Sequence, residues 1–320
     1  MTPKNAIEKF ALSFAACSLA LAALSPFLRK QKVEEELYLS APLSEKFEAE
    51  AAQTPAVDTF SGRKRRYIPY TEVAKQRAEM VAQLTERYKN APIYDCSMQA
   101  KGIVHRVNLP PCDSCKTLFL TLDACISDLD SMLLKYLIYN KINTSIFVTT
   151  RWINSWPQAV QLLLTHRNIF EVENHGWQHR PASVNGCTQY KIRGTKSMAE
   201  LVAEVEIGAE IVERTTGEPP LFFRSGTAFA DNVAVAAIGD MGYRFIGFSV
   251  AADEGATLPR HTVKQRILAA QHGDIILMHL NSKSSETRLG FIMAMEEMKQ
   301  KNVCVRFAKL RNFTDKFVAY

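Results

Sequence analysis

From Lys116 onward the apolar positions fall into short strand-type runs separated by stretches of helical period. Residues 117–123 (TLFLTLD), 144–149 (TSIFVT) and 169–174 (IFEVEN) place branched and aromatic side chains at alternating or continuous positions, which predicts strands. Further strands are predicted over 221–223, 243–249, 274–279 (DIILMH) and 303–307. Between them, helices are predicted over 128–142, 154–166, 231–241, 261–271 and 286–301. One more opens at the capping-box spacing of Ser197 and Glu200 and runs to Gly217. Strand–helix alternation of this regularity implies parallel strands joined by crossover helices. Roughly seven units in a little over 200 residues suit a (β/α) barrel better than an open sheet.

The chain before that region has a different pattern. Lys4 and Lys9 precede an apolar run over 10–28, which Arg29 and Lys30 close. Residues 1–30 therefore have the pattern of a signal peptide or an uncleaved membrane anchor, and an exported protein is expected: periplasmic, membrane-anchored or secreted. Residues 31–60 hold seven acidic residues against two lysines and little apolar period, the mark of a spacer. The run Arg63 to Arg66 (RKRR) reads as a solvated charge cluster. Residues 71–90 predict an amphipathic helix with Val73, Met80, Val81, Leu84 and Tyr88 near one face. The expected division is 1–30 signal or anchor, 31–91 spacer and helix, and 92–320 the barrel domain.

Composition narrows the function. An apolar fraction of 47% supports a real core, and a net charge of +6 without an obvious patch gives no sign of nucleic acid. Glycine-rich phosphate or dinucleotide loops do not follow any predicted strand. Six of the seven cysteines lie beyond the signal-like segment, and export permits disulfides. Cys112 and Cys115 stand as C-x2-C without a second such pair, which argues against a zinc ribbon and for a structural role.

Candidate chemistry collects where the strands end. In a parallel barrel all strand C-termini share one face, and here those positions are Asp123, His175, Arg224, Asp253 and His279. His175 and His179 flank the turn His-Gly-Trp-Gln-His, a spacing that lets two imidazoles face one divalent ion. Such an ion polarises a carbonyl and acidifies a water. Asp123 is then the candidate base, Arg224 its partner and His279 the candidate acid, the outline of an amide or ester hydrolase.

These residues resemble the motifs of the polysaccharide deacetylase family, carbohydrate esterase family four. Thr121-Leu122-Asp123-Ala124 is similar to its first motif, whose first Asp is the base. His175, His179 and Pro181 match the metal-binding second motif. Phe223-Arg224-Ser225-Gly226 is similar to the third, whose Arg orients the base, although the usual Pro is absent. Asp253-Glu254-Gly255 keeps the Asp of the fourth without its Trp. Ile276-Leu277-Met278-His279 matches the fifth, which supplies the acid. The resemblance implies a distorted (β/α) barrel, a divalent metal (zinc foremost), and removal of N- or O-acetyl groups from a polysaccharide. A cell-envelope glycan such as peptidoglycan fits an exported enzyme.

One departure bears on the metal. The family's second Asp, a metal ligand, is Ala124 here. Asp123, Asp128 or Asp130, Cys125 or water are the replacements open to the chain. The same departure motivates the alternative of a catalytically lapsed glycan-binding protein. A third class is an amidohydrolase acting on a small non-sugar amide. Trp152, Trp156 and Trp177 are candidates for sugar stacking and equally for packing.

Overall fold

The structure, a computed structural model, describes residues 70–319 apart from 113, 126–127 and 282–284. The expected signal segment and acidic spacer lie outside the described residues. Helix α1 (Tyr70–Tyr88) is followed by strand β1 (Val104–Val107) and then by the alternating region. That region runs β2 (Lys116–Ala124), α2 (Ser131–Tyr139), β3 (Thr144–Val148), α3 (Thr150–Ser155), α4 (Pro157–Thr165) and β4 (Phe170–Asn174). A two-residue hairpin, β5 (Thr188–Gln189) and β6 (Ile192–Arg193), precedes α5 (Met198–Thr216) and β7 (Phe222–Phe223). Then come α6 (Asn232–Asp240), β8 (Arg244–Phe245), β9 (Val250–Ala251), α7 (Arg260–Ala269) and β10 (Ile275–His279). The chain ends in α8 (Ser285–Gln300), β11 (Val305–Phe307), a 3-10 segment (Leu310–Lys316) and β12 (Phe317–Ala319).

Seven parallel strands form one sheet in the order β8-β7-β4-β3-β2-β10-β9, and β11 pairs with the first residues of β2. The expected barrel is therefore only half realised. Among the described residues no ladder joins β8 to β9. β1 reaches both sides of that gap, bridging to Ile246 just past β8 and to Asp274 just before β10. β12 lies antiparallel to β1.

Strand alternation sorts the side chains into two layers. Leu118, Leu120, Leu122 and Ala124 of β2 pack outward against the helices with Ile146, Leu133, Ile276 and Phe291. Phe119 on the other face joins Phe147, Phe222, Ile246, Ile275 and Leu310 inside the curve of the sheet. A third cluster packs Leu84 of α1 against Leu201 and Val205 of α5 and Val233 of α6, so the predicted amphipathic helix covers the outside of the domain.

Local chemistry explains where the elements begin and end. Ser197 Oγ accepts from Glu200 N at the start of α5, and Gly217, at φ +81°, supplies the left-handed close. The helix expected over 154–166 is broken in two. Pro157 cannot donate to the preceding turn, so it starts α4 instead of extending α3. The strand expected over 243–249 shortens to β8, and β9 forms just after it. Two disulfides, Cys96–Cys187 and Cys115–Cys304, staple the domain, so the C-x2-C pair is not itself a bridge.

Candidate active site

β2 and β10 are register neighbours, and Asp123 pairs with His279 at their ends. The two side chains therefore emerge on one face of adjacent strands. β4 delivers His175 one residue past its last paired residue, and β7 delivers Arg224 in the same way. Asp253 follows β9 by two positions. All five strand-end residues predicted from the sequence meet at the same end of the sheet.

Arg224 is fully buried and every arm of its guanidinium is engaged. Nη1 donates to Asp123 Oδ1 at 2.7 Å and to Thr121 Oγ1 at 3.0 Å. Nε and Nη2 donate to the carbonyls of Ile246 (3.0 Å) and Gly247 (2.8 Å), and the guanidinium lies 4.3 Å from the centre of the Phe147 ring. A cation held this way fixes the carboxylate it touches. Burial pushes the Asp123 carboxyl upward, but Arg224, then His175 and His279, outweigh it and hold Asp123 below its usual range.

His175 Nδ1 lies 2.9 Å from the Arg224 carbonyl, which makes Nδ1 the donor and turns Nε2 inward. Nε2 stands 3.6 Å from Asp123 Oδ2 and 3.5 Å from Cys125 Sγ. His179 takes a left-handed backbone, φ +61°, and its ring packs edge-on 4.9 Å from that of His175. His179 Nε2 is buried without a hydrogen-bond partner. The donor atoms of Cys125, His175 and His179 lie within 4.8 Å of one another. One sulfur and two imidazole nitrogens make a donor set suited to zinc with a position left open.

His279 Nδ1 is 2.8 Å from Asp253 Oδ1. Asp253 Oδ2 accepts from His279 N (2.8 Å) and Thr287 Oγ1 (3.0 Å). Asp253 is thus a positioning residue for His279. Burial disfavours the charged ring, but Asp253, then Cys125, lift His279 well above the ordinary histidine range.

Of the ligands considered for the place of Ala124, Asp130 is occupied elsewhere. It caps α2 through Leu133 N and receives Arg288 Nε at 3.1 Å. Trp152 is enclosed in the outer core and Trp156 packs against it, which leaves Trp177, on the histidine loop, as the exposed tryptophan of the three.

Glu204 of α5 is a residue that the motif reading missed. Its buried carboxylate accepts from Gln178 N (3.0 Å) and Arg180 N (3.1 Å), and its own carbonyl accepts from Trp177 N. It therefore holds the whole turn between the two histidines. Gly176, at φ +89°, lies so close to this carboxylate that a Cβ would overlap it. Asn174 supports the same turn, accepting from Gly176 N and donating to the Val205 carbonyl. The available signal for Glu204 was an acid inside the apolar stripe of Leu201, Val202, Val205 and Gly208.

A carboxylate fixed by an arginine, an imidazole fixed by a carboxylate and a pair of histidines thus meet at the strand ends of an α/β sheet. The profile of the polysaccharide deacetylase family matches residues 111–246. No curated protein sequence matches the chain. Among solved structures the fold is similar to PdaA of Bacillus subtilis, a family 4 carbohydrate esterase. The identity is 17%, the TM-score 0.53, and the alignment covers 73% of this chain and 88% of that one. It is similar also to the Bc1960 peptidoglycan N-acetylglucosamine deacetylase (17%, TM-score 0.52, 77% and 97% covered). A third similar structure is a pseudoenzyme of the same esterase family from Bacillus anthracis (17%, TM-score 0.51, 65% and 68% covered).

Proposed function

We propose that this domain is a metal-dependent hydrolase that removes acetyl groups from an N-acetylated or O-acetylated polysaccharide, with a cell-envelope glycan as the substrate class. The observation that carries this reading is the facing pair of Asp123 and His279 at one register of adjacent strands, each held by its own buried partner. Asp123 keeps Oδ1 on Arg224 and has Oδ2 directed toward His175, so Oδ2 is the atom that takes the proton of an attacking water. His279 keeps Nδ1 on Asp253, which leaves Nε2 to donate to the departing amine or alkoxide oxygen. A divalent ion on His175 and His179 supplies Lewis acidity for the acyl oxygen and the water. Trp177, 37% exposed beside the histidines, offers a ring face to a sugar. Two disulfides agree with work outside the cytoplasm.

The second reading is a catalytically lapsed glycan-binding protein. It is favoured by Ala124, which occupies the position of the family's second carboxylate and points into the outer core. Metal analysis of the full chain combined with acetate release from N-acetylated glycans separates the two. The enzyme reading expects bound metal, and it expects release that His279→Ala impairs less on esters with good leaving groups than on N-acetyl amines. Stoichiometric metal and glycan binding without any acetate would establish the lapsed reading.

A further inference from the structure

We propose that Cys125 is a third metal ligand, so that the centre is a thiolate–bis-imidazole site selective for thiophilic divalent ions, zinc above magnesium or manganese. The proposal rests on the reading of His175 and His179 as metal ligands and deepens it. Strand alternation gives its first support. Ala124 belongs to the outward face of β2, packed with Leu120, Leu122 and the helices, so that position brings no group to the site. Cys125, one residue past the strand, returns to the inner side.

The backbone there is anchored. Thr149 Oγ1, which also caps α3, donates to the Cys125 carbonyl at 2.8 Å. The thiol is buried, and Sγ stands 3.5 Å from the inward nitrogen of His175 and within 4.8 Å of the donor atom of His179. The other ring nitrogen of His175 is tied to the Arg224 carbonyl, an arrangement that orients metal-bound histidines generally. His179 also brings a ring nitrogen within 4.8 Å, and its Nε2 is buried without a hydrogen-bond partner.

Two of the competing ligands have other partners. Asp123 gives one oxygen to Arg224, and Asp130 serves α2 and Arg288. A thiolate carries the same single negative charge as the carboxylate that Ala124 lacks. The formal charge of the centre is thus preserved while its softness changes. Asp123 remains available as the base.

Cobalt(II) reconstitution of the metal-free full chain tests this without any activity readout. The wild type should bind one cobalt and show a near-ultraviolet thiolate-to-cobalt charge-transfer band. Cys125→Ser should lose the band and bind zinc at least about tenfold more weakly. Cys125→Asp should regain affinity without the band and move the preference toward manganese. Circular dichroism would check that both variants fold. One cobalt bound by the wild type with no thiolate band overturns the role of Cys125 and leaves the histidine site standing. No cobalt bound by folded wild-type protein overturns both.

Discussion

The inside of the sheet holds two arginine–carboxylate pairs with buried carboxylates, and they behave in opposite ways. At the strand C-termini Arg224 meets Asp123 at 2.7 Å, and lower in the sheet, two residues before His175 on β4, Arg311 meets Glu173 at 2.5 Å. Asp123 is held below its usual range, whereas Glu173 is pushed up to about 8. Burial raises both. For Asp123 the arginine is reinforced by His175 and His279. For Glu173 the coulombic pull of Arg311 is opposed by Glu171, two residues along the same strand and on the same face. For these two carboxyls the arginine partner does not settle ionisation alone; burial and the neighbouring charges weigh with it. The upper pair keeps a charged oxygen at the strand ends. The lower one anchors the C-terminal segment, where Glu171 accepts from Leu310 N at 2.8 Å and Arg311 Nη2 reaches the Pro219 carbonyl.

The comparison predicts different failures at the two pairs. The largest effect is expected at the upper pair. Asp123→Asn keeps an acceptor for Arg224 and removes the base, so kcat for deacetylation should fall by about 10²–10⁴ with metal content retained. Near-wild-type turnover in that variant would remove Asp123 from the mechanism.

The next effect is on stability against pH. Glu173 binds its proton more tightly folded than unfolded. Its contribution is therefore complete below about pH 4.5 and is lost as pH rises from there through about 8. Asp123 has the opposite sign: its contribution is present above the ordinary carboxylate pKa and is lost as pH falls through its lowered folded value. Each tenfold gain in proton affinity on folding is worth about 1.4 kcal/mol, so Glu173→Gln should flatten the alkaline loss by up to about a few kcal/mol. Urea unfolding from pH 4 to 9 would show it, and an unchanged slope would mean that Glu173 is ionised in the folded protein.

A smaller effect is expected one step away from the upper pair. Glu204→Gln weakens the acceptor that holds Gln178 N and Arg180 N, so zinc affinity should drop by about 10–100-fold while Asp123 and Arg224 stay in place. Competition with a chelator measures this. An unchanged affinity would show that the histidine turn holds itself.

The contrast between the pairs also marks what the sequence could reveal. Asp123, His175, Arg224 and His279 were legible because each ends an apolar run, and parallel topology gathers such ends. The lower pair was not legible, because Arg311 comes from a 3-10 segment with no periodic signal and meets Glu173 only through the curl of the sheet. Cys125 stood as one choice among several because strand phase past the last paired residue cannot be read from composition. Sheet closure failed to follow from counting units, since β7, β8 and β9 each have only two paired residues. The break at Pro157 was visible in the chain and outweighed by the apolar period around it.

The two disulfides also interlock along the chain. Cys96–Cys187 and Cys115–Cys304 enclose overlapping stretches, with separations of 91 and 189 residues. Chain-entropy reasoning gives loops of this size about 4–5 kcal/mol each. Any single backbone cut between residues 96 and 304 falls inside at least one of these loops. A protease that nicks the hairpin tip at Tyr190 or the turn at Glu254 would leave both halves covalently joined. The wounded molecule would keep its mass until a reductant released the pieces.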